Sequence, residues 1–201
     1  SIGTLGERDR RLDHGTMVPL YFVKQQYTGF RLVRVGLSGL SHAEHYEFGQ
    51  IIRQAVEQTG RKAVLIASGD LSHKLQEYGP YGFAEEGPEY DRRIMDAAGR
   101  AAFGEMLTFE ESFLDKAAEC GHRSFLIMAG ALDGMNVEAK VYTHEDVTGV
   151  GYGICSFRPT EPNGERRFLE RYRAEQEEKL RQRREREDPY VRLARETVES
   201  W

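Results

Sequence analysis

"KAVLIASGDLSHKL", residues 62–75, decides the fold. Residues 62–68 form a short, continuous apolar run, the pattern of a central strand buried on both faces. The run then breaks into Gly69, Asp70, Ser72 and His73. A turn explains this most simply, with Gly69 supplying the bend and Asp70 or Ser72 capping the next segment. An active-site edge also fits, because open α/β sheets bind ligands at the carboxyl ends of their strands.

The flanking segments support a layered α/β arrangement. "FRLVRVGLS" (30–38) alternates apolar and basic positions, as a half-buried strand does. A helix is expected over Ala43–Thr59, with Phe48, Ile51, Ile52, Ala55 and Val56 on one face and Gly60 at its end. "EYGPYGFAEEGP" (77–88) is a loop long enough to carry function. Helical patterns resume over Glu89–Phe103 and again from Thr108, where Thr-Phe-Glu-Glu has the form of a capping box. That helix should end at Gly121, and "HRSFLIMAGALDG" starts another that closes at Gly134. "NVEAKVYTH" and "GVGYGICSF" complete the series as two strands, a candidate antiparallel edge. The fold class implied is α/β, a mostly parallel central sheet with helices on both faces, plus a charged C-terminal helix.

Composition shifts after Phe157. Residues 1–159 hold 17 Lys and Arg against 22 Asp and Glu, whereas residues 160–201 hold 11 of each. The tail is therefore dense in charge yet locally neutral, a solvated helix rather than a basic nucleic-acid arm. Three units are expected: a domain over 1–159, a helical linker over 160–187, and the start of a further domain over 188–201. Pro189 breaks the linker helix, and Val191, Leu193, Ala194 and Val198 give the next one an apolar face. Both chain ends read as cut, "SIGTLGERDR" holding no obvious first element.

A net charge of −5 argues against a general nucleic-acid binder, which needs a basic face. No apolar run approaches the ~20 residues of a membrane span, and no signal-like leader is visible. Only two cysteines, Cys120 and Cys155, are present, too few for a disulfide framework, so a reducing cytoplasm is the expected location.

Several groups could carry chemistry. His14 in "LDHGTMVPLYF" is either a surface residue beside a capping Asp13 or Thr16, or an imidazole at a pocket mouth. His42 and His45 are three apart at a helix start and lack the H-E-x-x-H zinc spacing, so they are expected as helix-end decoration. His144, in a turn-like "THED", is assigned no role. Glu119 and Cys120 sit at a helix junction where the next helix's dipole would favour a thiolate, the alternative being a small buried Cys. A Ser–His–Asp hydrolase is set aside. Asp70, Ser72 and His73 in one turn cannot form the acid–imidazole–hydroxyl line, and no G-x-S-x-G elbow is present.

Taken together, "LDHGTMVPLYF", "IASGDLSHKL", "GPYGFAEEGPEYD", "AAECGHRSFLIMAGALDG" and "GVGYGICSF" resemble the class III (LigB-type) extradiol dioxygenase superfamily. More narrowly, they resemble its Memo-like branch in bacterial AmmeMemoRadiSam proteins. The tail "DPYVRLARETVESW" is similar to the start of an AMMECR domain. The resemblance implies a non-haem iron(II) site, with copper or zinc as alternatives, acting on a small aromatic diol. By the same resemblance His73 is the acid–base residue, His14 faces the substrate, and Asp70 orients the turn. It also places two metal-binding histidines upstream of "DHGT", outside this chain, and the third ligand at Glu119 or Cys120. Dioxygenases carry a glutamate directly before Gly121, whereas this chain has Cys120 there and Glu119 one step earlier, as Memo-like proteins do. The expected activity is a metal-dependent oxidoreductase of extradiol type. The other reading is a Memo-like adaptor working with an AMMECR domain in cis and a radical-SAM partner.

Overall fold

A computed structural model of the chain describes residues 11–199. The opening "SIGTLGERDR" and the last two residues lie outside that range. The fold is mixed α/β. In order it comprises α1 (His14–Gln26), α2 (His42–Thr59), α3 (Glu86–Gly99), α4 (Phe103–Met106), α5 (Glu111–Ala117) and α6 (His122–Ala131). Then come β1 (Met135–Val147), β2 (Val150–Pro162), a 3₁₀ turn (Gly164–Arg166), α7 (Phe168–Glu185) and α8 (Pro189–Glu199).

α2 begins where Ser41 and Glu44 form a reciprocal capping box and ends at Gly60 in the left-handed region, φ 61°. It crosses α6 at two glycines. A Cβ on Gly49 would collide with the Ile127 carbonyl, and one on Gly130 with the Tyr46 carbonyl, so the two backbones touch. Around that crossing Tyr46, Leu126 and Ala129 are fully buried. The core continues through Tyr90, Ile94 and Ala97 of α3, Phe103 and Met106 of α4, and Leu114 and Ala117 of α5. Each large side chain buried there stabilises the fold by about 1.5–3 kcal/mol.

Asp133, just after α6, binds three elements together. Its carboxylate accepts the Tyr46 hydroxyl, the Gln50 amide and the Phe168 backbone N–H, all at 2.8 Å, and its carbonyl accepts from Arg53. This seats the start of α7, where Leu169 is the buried residue, while the rest of that helix is charged and solvated. α8 starts at Pro189, a residue whose fixed φ suits a first helical turn, and leaves Tyr190, Val191, Leu193 and Val198 exposed.

The sheet departs from expectation. β1 and β2 form one antiparallel hairpin, longer than the two short strands the sequence suggests, joined by Thr148 (φ 56°) and Gly149 (φ 90°). Positive φ at both turn residues matches the twist of a two-residue hairpin. Residues 30–38 and 62–68 are not strands, and a mostly parallel central sheet does not form among the described residues. The physical reason is that strand identity is conferred by a hydrogen-bonding neighbour, and neither segment has one there. Their apolar side chains are correspondingly open, with Val33 83% and Val64 89% exposed. Smaller differences follow from local geometry. The third helix stops at Gly99 because Ala101 turns to φ 50°. Thr108 spends its hydroxyl on the Glu105 carbonyl and does not cap α5.

Gly49→Ala and Gly130→Ala should each lower the unfolding free energy by about 3 kcal/mol or more, because overpacking here meets backbone rather than movable side chains. Urea denaturation monitored by circular dichroism measures the loss. Near-parental midpoints would show that the helices can separate.

Candidate metal centre

The turn at 69–73 is held against the junction between α5 and α6 by backbone contact. A Cβ on Gly69 would run into the Gly121 backbone, so this position requires glycine for close approach. The Cys120 N–H reaches the Asp70 carbonyl at 3.4 Å, and the Asp70 N–H donates to Cys120 Sγ at 3.2 Å. The Ser124 hydroxyl donates to the Ser68 carbonyl at 2.9 Å, fixing the residue before the turn. On the other side, Leu71 N–H donates to the Gly151 carbonyl and Gly151 N–H returns a bond to the Ser72 carbonyl.

This framework brings together Asp70, His73 and Cys120, whose ligand atoms all lie within 4.8 Å of one another. His73 Nε2 lies 3.3 Å from Asp70 Oδ2, is buried, and makes no hydrogen bond among the described residues. The His73 ring stacks on Tyr81 of the 77–88 loop, centroids 4.9 Å apart and planes inclined by 27°. Tyr152 of β2 is exposed, and partial desolvation with the charges of Asp70 and Cys120 raises its phenol pKa.

The helix-dipole expectation for Cys120 is reversed. Cys120 is an exposed residue, yet partial desolvation of its sulfur pushes the thiol pKa up. The Asp70 and Glu119 carboxylates add to that push, against the Asp70 N–H, which lowers it. A cation beside the sulfur would supply the missing positive charge and release the proton. The Cys120 sulfur and the Asp70 carboxylate at one point fit a transition-metal ion, with the buried His73 nitrogen that makes no hydrogen bond beside them as a group able to move a proton.

Glu119 stands apart from that point. Its carboxylate accepts the His122 N–H at 2.6 Å, caps the start of α6, and has a pKa raised by burial. His14 is exposed at the first position of α1, where Asp13 caps the helix by accepting the Thr16 N–H at 2.8 Å. It lies outside the group of three. The nearest approach of its helix start is at Gly15, where a Cβ would lie 3.8 Å from Ser68 Oγ.

Two further sets of residues escape the sequence pattern. His42 and His45, expected as helix-end decoration, are both buried. The His42 ring packs on fully buried His122 at 5.2 Å, and its Nε2 sits 3.1 Å from Glu111. Asp91 of α3 is 1% exposed, its Oδ1 accepting the Ser72 N–H and its Oδ2 contacting His144 Nε2, each at 2.8 Å. The available signal was an aspartate on the apolar stripe of α3 beside Tyr90 and Ile94.

With the geometry in place, kinship can be read. Residues 3–155 match the family model of the catalytic LigB subunit of aromatic ring-opening dioxygenase. The chain belongs to the LigB family. Among curated relatives of this LigB chain, the protein CA_C1420 of Clostridium acetobutylicum is 36% identical over 188 residues, 93% of this chain and 40% of that protein. The 2-aminophenol 1,6-dioxygenase beta subunit of a Pseudomonas species is 24% identical over 165 residues, 73% of this chain and 54% of the subunit. The MEMO1 family protein MTH_45 of Methanothermobacter thermautotrophicus is 33% identical over 92 residues, 46% of this chain and 31% of its own length. The chain thus spans a third to a little over half of these relatives. Among the described residues of this LigB chain, no helix is long and apolar enough to cross a membrane.

Burial of His122 has a measurable consequence. Its pKa is lowered to about 3 by desolvation, helped by His42. An unfolded histidine titrates near 6.5, so between pH 6.5 and 3 the unfolded chain binds a proton that the folded chain refuses. This contribution is complete above about pH 6.5 and is lost on acidification, at up to about 1.4 kcal/mol per pH unit. His122→Gln should be less stable than the parent at pH 7, with the gap narrowing by pH 5. Urea titrations at both pH values test this, and a constant gap contradicts it.

Proposed function

We propose that the chain carries the proton-handling and thiolate side of a Memo-like, extradiol dioxygenase-type metal cleft. The activity is that of a non-haem metal-dependent oxidoreductase acting on a small aromatic diol or aminophenol. The observation that carries this reading is the convergence of Asp70, His73 and Cys120 on one point. LigB-family membership and the aminophenol dioxygenase relative support it.

Cys120 and Asp70 would hold the metal, iron(II) first and copper or zinc second, together with histidines upstream of Asp13. When bound, the ion supplies Lewis acidity and a partner for O₂. His73 acts on protons. Its buried, unbonded Nε2 is free to take a proton from a substrate hydroxyl, and the Asp70 carboxylate 3.3 Å away stabilises the imidazolium that results. Imidazole suits the task because it can accept and return a proton near neutral pH. Tyr81 and Tyr152 give the cleft aromatic walls against which a flat ring can lie. His14, at the start of α1, faces the substrate from the far side. In the complete protein, segments 30–38 and 62–68 join a mostly parallel sheet and bury their exposed apolar residues. Residues 1–159 form this domain, 160–187 connect it, and 188–201 begin an AMMECR domain, in a cytoplasmic protein.

A second reading is favoured by Cys120 standing where ring-cleaving enzymes have glutamate. Here the cleft binds without turnover, and the chain acts as an adaptor for a radical-SAM protein. His73→Ala separates the two, abolishing turnover in the first and sparing partner binding in the second.

Metal content tests the main reading. A chain extended upstream to include those histidines, incubated anaerobically with iron(II) and desalted, should retain metal, and its Cys120→Ala variant should retain at least tenfold less by elemental analysis. Oxygen uptake with catechol and 2-aminophenol then tests turnover. Equal metal in parent and variant overturns the assignment of Cys120.

A further inference from the structure

Asp91 is a buried carboxylate to which the mechanism assigns no step. We infer that Asp91, backed by His144, is the positioning residue of the cleft, fixing the Ser72 peptide so that His73 and Asp70 meet Cys120. The inference rests on the metal-cleft reading above and extends it to α3 and β1.

Ser72 immediately precedes His73, is completely buried, and has every polar atom committed. Its hydroxyl donates to the Ala117 carbonyl at 2.8 Å and accepts the Lys74 N–H at 2.9 Å. Its carbonyl takes the Gly151 N–H at 2.8 Å, and its N–H goes to Asp91 Oδ1 at 2.8 Å. Asp91 therefore fixes the Leu71–Ser72 peptide, one residue before His73, while Gly151 holds the Ser72 carbonyl of the next peptide. A buried carboxylate is costly, and a site needing only volume would be filled more cheaply by an apolar residue. Here the cost is offset by two short bonds, the second from His144 on a different element. Gly151 is shaped around the arrangement, since a Cβ there would strike the Asp91 carboxylate. α3, β1, β2 and the α5 terminus thus all bear on one residue, and that residue is adjacent to His73.

The two oxygens of Asp91 have separate duties, which makes the conservative variant informative. Asp91→Asn keeps an acceptor for the Ser72 N–H and can donate to His144, whose ring accepts in its other tautomer. Asp91→Ala leaves the Ser72 N–H buried and unpaired. His144→Ala removes the support while sparing the Ser72 bond.

Cobalt(II) is the probe, because a thiolate–cobalt charge-transfer band reports both affinity and geometry at Cys120. At a temperature where every variant is fully folded by circular dichroism, Asp91→Ala should bind cobalt at least tenfold more weakly, with the band displaced. Asp91→Asn should stay within threefold of the parent, and His144→Ala should lose three- to tenfold. A metal-free measurement runs alongside, the ¹⁵N shifts of the His73 ring, which should move in Asp91→Ala and return in Asp91→Asn. Lowered melting temperature with unchanged cobalt affinity, band and His73 shifts would make Asp91 a structural pillar and overturn the inference. A parent chain without the charge-transfer band sinks the metal reading alone, and the His73 shifts then decide the positioning role. If Asp91→Ala does not fold, His144→Ala decides, parental affinity and parental His73 shifts together counting against the proposal.

Discussion

The contact between Gly69–Asp70 and Cys120–Gly121 is the constraint on which the site depends. Two stretches of chain fifty residues apart meet there through glycines that leave no room for a side chain. Reciprocal bonds, Cys120 N–H to the Asp70 carbonyl and Asp70 N–H to the Cys120 sulfur, then lock their register. Without that approach, the imidazole and carboxylate of one segment and the sulfur of the other would not share a point. The helix crossing at Gly49 and Gly130 plays the same role for the scaffold, seating α6 so that its first turn presents the junction.

Two adjacent residues at that junction divide the work. Glu119 caps α6, whereas the Cys120 sulfur meets the Asp70 N–H of the 69–73 turn. The side chain with the more familiar ligand chemistry is thus occupied in holding a helix, and the thiol is the one that joins Asp70 and His73. Partial desolvation and the two carboxylates push the pKa of that exposed thiol up. The same excess of negative charge would favour a cation, whose binding would in turn release the thiol proton.

Much of this was legible in the residues. The extent of α2 and its terminal glycine, the helix at α6, and the antiparallel final pair appear where local periodicity puts them. The apolar face expected for α2, however, does not become its buried one: Ile51 and Ala55 are exposed, and His42, His45, Tyr46 and Gly49 are the buried positions. Asp70, His73 and Cys120 stand out in the sequence, largely because separated motifs in order resemble one superfamily. The sheet was not legible, because "KAVLIAS" records what a strand needs on its faces but not which neighbour bonds its edges. The buried state of His42 and the bond between Asp91 and His144 were hidden for a related reason. Both are set by contacts between elements distant in sequence, and no local spacing encodes them. The thiol pKa of Cys120 is pushed up, against the direction the dipole argument gives, by partial desolvation and then by the Asp70 and Glu119 carboxylates.

The tip of the hairpin has a consequence for how this fold can vary. The Gly149 carbonyl accepts the Leu75 N–H, Gly79 packs against the Gly149 backbone, and the Asp146 side chain bonds Gln76. The segment that presents Tyr81 is therefore moulded on a turn some seventy residues downstream. Divergence in the length or composition of that segment is coupled to compensating change at 146–149. A chimaera that exchanges the one without the other would inherit a mismatched seam, so the two form a single unit of exchange among related proteins.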